Sequence, residues 1–138
     1  MKANVPGYAV CAGFLAFSLS APAADAHELE DVRPVFERAM PNVNGKSLIA
    51  LLVQYPPGGK SPPHRHAQSA FVYAHVLSGS IRSQVNDEQT RIYQTGEAFY
   101  EEPGSHHRVS ENASDSEPAS LLAIFIVDSQ DRPVTTPD

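Results

Sequence analysis

The sequence predicts an all-β protein whose one ordinary-sized domain closes as a barrel or sandwich. Three observations predict it. Short apolar runs recur from Ser47 to Val127. A turn signal stands at every break between them. Beyond the N-terminal lead-in, no stretch holds the 3.6-residue period of an amphipathic helix.

The chain opens on a segment that reads as address rather than fold. Lys2 gives residues 1–26 a short positive start, and Tyr8 to Leu19 is apolar but too short for a permanent membrane span. Ala24-Asp25-Ala26 is a small-x-small cleavage site, so residues 1–26 are expected to be a signal peptide and His27 the mature N-terminus. Export to a periplasm or out of the cell follows, with no membrane contact after cleavage. Cys11 is the single cysteine and leaves with the signal, so no disulfide or thiol chemistry is expected. Cleavage removes one lysine and one aspartate, which leaves the formal charge of −6 unchanged. An acidic chain without a basic cluster argues against nucleic acid as a partner.

Residues 27–46 form a lead-in in which Pro34 and Pro41 limit any helix, so an irregular or partly extended path is expected. The domain proper is placed at 47–128. Its expected strands are Ser47–Tyr55, Ala70–Leu77, Ser80–Val85, Thr90–Tyr93, Ala98–Tyr100, His107–Ser110 and Leu121–Val127. Ser80–Val85 alternates cleanly, as a strand with one wet face does. Leu121–Val127 is apolar on both faces, so it is central or meets another subunit. The tail, 129–138, carries two prolines and is expected to be loosely ordered at its end.

The chemistry lies in the histidines. His64 and His66 share one face of an extended chain, because side chains alternate with period two. Two imidazoles one pleat apart can chelate one ion, and a third from a distant strand would complete a three-nitrogen face. His106-His107, behind the Pro103-Gly104 turn, offers that third nitrogen. Adjacent strand residues point oppositely, so only one of the two can enter. Gln68 shares the parity of His66 and could add a weak amide oxygen. No nucleophile elbow, phosphate loop or Ser-His-Asp arrangement is seen.

Gly59, His64, His66 and Gly79 resemble the first motif of the cupin superfamily, which is a glycine, His-x-His, a nearby glutamate, and a glycine after a hydrophobic strand. Gly96, Pro103-Gly104, His107 and Asn112 resemble the second motif more loosely. The resemblance covers residues 45–128 and is closest to small secreted bacterial cupin-domain proteins. It implies a single-domain cupin jelly-roll β-barrel, commonly a homodimer. It implies a divalent metal held by His64, His66 and His107, with His106 the alternative to His107. Iron, manganese, nickel, copper and zinc are not distinguished. Cupins with three-histidine iron sites include dioxygenases, and others are isomerases, so either reaction on a small-molecule substrate is implied. A non-catalytic module that binds a metal or small ligand is the competing expectation, as is a purely structural site.

The glutamate is the departure. Counted forward from His66 it falls at Ala70, and counted back from Gly79 it falls at Val72. Neither can bind a metal. Glu101 or Glu102 of the second motif could reach in instead. Strand parity places Ala70, Val72, Ala74 and Val76 inside and sends His75 outward with Phe71 and Tyr73. Without a carboxylate, three neutral imidazoles leave an ion its full charge, which favours an anionic substrate.

Overall fold

The structure is a computed structural model that describes residues 29–138. The expected signal peptide, with Cys11, and His27 lie outside the described residues. Ten strands follow in order: β1 Asp31–Ala39, β2 Lys46–Tyr55, β3 His64–His66, β4 Phe71–Ser78, β5 Ser80–Val85, β6 Arg91–Gln94, β7 Ala98–Glu101, β8 His106–Asn112, β9 Ala119–Asp128 and β10 Thr135–Pro137. They form two five-stranded sheets, ordered β1-β2-β9-β4-β7 and β10-β3-β8-β5-β6. All the recorded pairings are antiparallel, and the two inner faces meet as in a jelly roll. Among the described residues no helix is long and apolar enough to cross a membrane.

The two inner faces differ in chemistry. The first sheet turns apolar side chains inward, among them Ile49, Val72, Val76, Leu121 and Phe125. The second turns in Ile81 and Val85 but also His66, Ser83, His107, Ser110 and Asn112, all buried. One wall thus supplies hydrophobic burial, and the other supplies nitrogen and hydroxyl groups at a place from which water is largely removed.

The strands read from apolar alternation are present within two residues of their expected ends. β9 lies centrally between β2 and β4, and buries Leu121, Ala123, Phe125 and Val127 inward. Two segments are more ordered than the sequence suggests. The lead-in forms β1, a fully exposed edge strand zipped onto β2. Pro34 is tolerated there because an edge strand has one unpaired side, and the register shifts between Pro34 and Phe36. The tail folds back as β10 along β3, and Val134 packs against the core. A three-residue strand such as β3 needs partners for both edges, and β8 and β10 supply them.

Gly79 makes the sharp link between β4 and β5 with φ +66. A Cβ there would sit 2.6 Å from the Pro118 carbonyl oxygen and 2.9 Å from the Ala119 Cβ. Both the left-handed backbone and the close approach therefore exclude a side chain.

Candidate metal centre

Register brings the histidines together. His64 pairs directly with His107 across β3 and β8, so their side chains share a face, and His66 follows two residues along. Arg65 pairs with His106 and both face the other way. A bulge at Arg108 shifts the β5–β8 register between Gln84 and Val85. It changes the parity of β8, so His107 and Ser110 both point inward although three residues apart.

Each imidazole is held. The Nδ1–H of His64 donates to the Pro62 carbonyl at 2.9 Å, which leaves Nε2 with a free lone pair. Burial pushes the His64 pKa down to about 4, so this ring is neutral near pH 7. His66 Nδ1 lies 3.3 Å from the Thr135 hydroxyl, and His107 Nε2 lies 2.8 Å from the Ser83 hydroxyl. Phe125 meets the His66 ring edge-on at 5.3 Å, and Phe99 meets His107 at 5.9 Å. The ring centroids of His64 lie 5.0 Å from His66 and 5.1 Å from His107. One nitrogen from each ring falls within 4.8 Å of the other two, and such a group could hold a metal ion.

A carboxylate stands beside them. Glu101, at the end of β7, is 2% exposed. Its Oε2 lies 3.1 Å from His66 Nε2, and its Oε1 lies 3.2 Å from His107 Nδ1. Burial alone would raise its pKa, but contacts with His107 and His66 outweigh that and hold it down at about 2. His66 Nε2 and Glu101 Oε2 face each other without the alignment of a hydrogen bond, and neither has another partner. A buried nitrogen and a buried carboxylate oxygen left without a hydrogen bond suit a shared cation, and a nitrogen–oxygen donor set suits a divalent transition metal.

The remaining candidates sit elsewhere. His106 Nε2 bonds Asp138 at 2.8 Å and its backbone N–H donates to Asn86, outside the cluster. Gln68 is exposed and lies over Gly104, where a Cβ would come within 2.8 Å of its Oε1. It does not share the face of His66, because β3 ends at His66 and the chain turns at once, with the Ala70 N–H bonded to the Ala67 carbonyl. Glu102 is exposed. His75 faces outward, bonded to the Tyr73 hydroxyl at 3.2 Å. Sequence reasoning missed Ser83 and Thr135. The β5 alternation that buries Ser83 was visible, but Thr135 reaches the site only through the folded-back tail.

The cluster forms one wall of a cavity of about 1070 Å³, at the upper end for a small-molecule site. Val53, Val72, Ala74, Phe99, Leu121 and Phe125 give the opposite wall its apolar lining. Near its rim the Tyr55 hydroxyl bonds Ser61 at 2.6 Å and Ser110 at 2.9 Å.

Comparison with known proteins agrees with this geometry. A profile described as "Cupin domain" matches residues 51–125, more than half of the chain. Germin-like protein subfamily 2 member 2 of Arabidopsis thaliana is 31% identical over 90 aligned positions, an alignment that covers 62% of this chain and 40% of that protein. Among solved structures, an oxalate oxidase in complex with glycolate superimposes with a TM-score of 0.63 at 19% identity, covering 90% of this chain and 62% of the other. An oxalate decarboxylase of Bacillus subtilis superimposes with a TM-score of 0.53 at 26% identity, covering 65% of this chain and 23% of that one. The chain thus spans less than two thirds of each of these relatives.

Proposed function

The chain belongs to the cupin family, and from that premise we propose that it holds one divalent transition-metal ion through His64, His66 and His107 and acts on a small molecule in the adjoining cavity. The observation that carries this reading is the convergence of three held imidazole nitrogens on the wall of a large, mostly apolar cavity. The ion would supply Lewis-acid activation and, if redox-active, oxygen chemistry of the dioxygenase kind. The protein's part is orientation and exclusion of water. The Pro62 carbonyl, Thr135 and Ser83 fix the three rings, and the phenylalanines keep the interior dry. The likeness to an oxalate decarboxylase supports an enzyme of small molecules.

The test is elemental analysis of the protein purified from its native compartment, beside His107→Ala. About one iron, manganese, nickel or copper per chain, lost in the variant, is expected. The same material should begin at His27 if residues 1–26 are cleaved on export. A metal-free wild type refutes the reading, and zinc would shift it towards a structural or binding site.

A non-catalytic binding module is the second reading, and Tyr55 favours it. Its hydroxyl is pinned by two serines and burial pushes its pKa up to about 12, so it is no ready proton donor or acceptor for a substrate.

The homodimer is proposed to form through the outer face of the first sheet. Tyr73, Tyr100 and Ile126 stand 42%, 61% and 37% exposed there, an apolar patch of the kind that marks subunit contacts. Sedimentation equilibrium should return twice the single-chain mass at micromolar concentration, and a single-chain mass would exclude the dimer.

A further inference from the structure

The geometry points to Glu101 as a fourth ligand of the same centre, its carboxylate arriving from β7 to do what a glutamate at Val72 would do from β4. The inference rests on the metal reading above. It adds a residue, a charge and a coordination number to it.

The first argument is which nitrogens Glu101 faces. A carboxylate that merely orients a ligating histidine bonds the ring nitrogen remote from the metal. Here the remote positions are already taken. Pro62 holds His64 Nδ1, Thr135 lies against His66 Nδ1, and Ser83 holds His107 Nε2. The nitrogens left for an ion are His64 Nε2, His66 Nε2 and His107 Nδ1. Glu101 addresses two of these three, at 3.1 and 3.2 Å. It therefore lies on the metal side of the rings of His66 and His107, beside the three-histidine group rather than inside its 4.8 Å spacing.

The second argument is the unpaired state of its atoms. Glu101 Oε2 and His66 Nε2 are buried and without a hydrogen bond. Leaving a buried acceptor unpaired is costly, and a cation between two acceptors removes the cost for both at once.

The third is register. Val72 pairs directly with Glu101 across β4 and β7, and the two are 1% and 2% exposed on the same inner face. Directly opposed residues have Cβ atoms only about 5 Å apart. A carboxylate on either strand can thus reach nearly the same point in the cavity.

Two consequences follow. A divalent ion with three neutral imidazoles and one carboxylate keeps a single net positive charge, so the attraction for an anionic substrate is weaker than three histidines alone would give. Four protein ligands leave two sites open on a six-coordinate ion and none on a tetrahedral zinc, which makes the identity of the metal decisive for catalysis.

The experiment loads metal-free protein with cobalt(II) and follows its visible d–d absorption in wild type, Glu101→Gln, Glu101→Val and the double exchange Val72→Glu/Glu101→Val. Circular dichroism confirms that each is folded. Glu101→Gln and Glu101→Val should each bind cobalt about 100-fold more weakly, with an altered d–d spectrum. The double exchange should recover most of the affinity. Variants that bind as tightly as wild type, weak variants whose spectrum is unchanged, or a folded double exchange without recovery would each overturn the assignment. A wild type that takes up no cobalt would instead refute the three-histidine reading, which is a separate result.

Discussion

Replacing His64 and His66 together by alanine should abolish stoichiometric metal uptake while leaving the β signature in far-ultraviolet circular dichroism. The two residues supply two of the three clustered nitrogens. Binding at structural metal sites with four protein ligands is worth roughly 10–16 kcal/mol, so two ligands carry about 6 kcal/mol, or on the order of 10⁴-fold in affinity. His107 and Glu101 would remain, and a pair of donors does not retain a divalent ion through dialysis. The fold should survive, because these imidazoles lie in the second sheet while the main apolar core lies on the first. The β3 backbone keeps its pairing with β8 and β10 whatever side chains it carries. Metal content by mass spectrometry of dialysed protein decides the matter. A folded double variant with one metal per chain would remove His64 and His66 from the site.

How much of this was legible in the sequence depends on where each signal resides. Ser80–Val85 and Leu121–Val127 are readable because alternation or continuous apolarity is a local property of the residues themselves. β1 carries no such pattern. All nine of its residues are exposed, and it is a strand because β2 offers an edge. β10 is a strand for the same reason, with prolines at Pro133 and Pro137 that locally argue against one. Local sequence does not encode what a distant edge imposes.

The candidate site divides in the same way. His64 and His66 share a face by simple parity, and His107 stands out from His106 because it stands with Gly104 in the resemblance to the second cupin motif. Parity fails for Gln68, where the chain turns directly after β3, and it would fail across β8, where the bulge at Arg108 inverts it. The sequence leaves Glu101 and Glu102 both open. The alternation of β7 could have decided between them, since Phe99 and Glu101 share the inner face and a charge in step with a buried phenylalanine is unusual. That Glu101 stands opposite Val72, one of the two positions at which the motif glutamate could fall, is a fact of β4–β7 pairing, which no count along one strand reveals.

Phe125→Ala should be the most destabilising single truncation of the core, at about 3 kcal/mol. Phe125 is 2% exposed on the central strand β9, and it pairs with Ile49 on one side and Val72 on the other. Truncating a buried phenylalanine costs roughly 3–5 kcal/mol through lost transfer energy and the cavity left behind. The lower end applies here, because one side of the ring already faces the cavity and water can enter the new space. Of a typical total stability of about 5–15 kcal/mol, such a loss is a large share. Ile92→Ala is the matching control. Its side chain, on β6 of the other sheet, is 49% exposed, so the loss should stay below about 1 kcal/mol in urea unfolding. Phe125 also braces the His66 ring edge-on at 5.3 Å, which couples core to site. Its truncation should therefore weaken metal binding about 10-fold as well, because a ring free to rotate must be ordered again by the ion. Equal urea midpoints for the two variants would show that the apolar wall does not carry the fold. A loss of stability in Phe125→Ala without any change in metal affinity would show that Thr135 and the β3 backbone alone hold His66 in place.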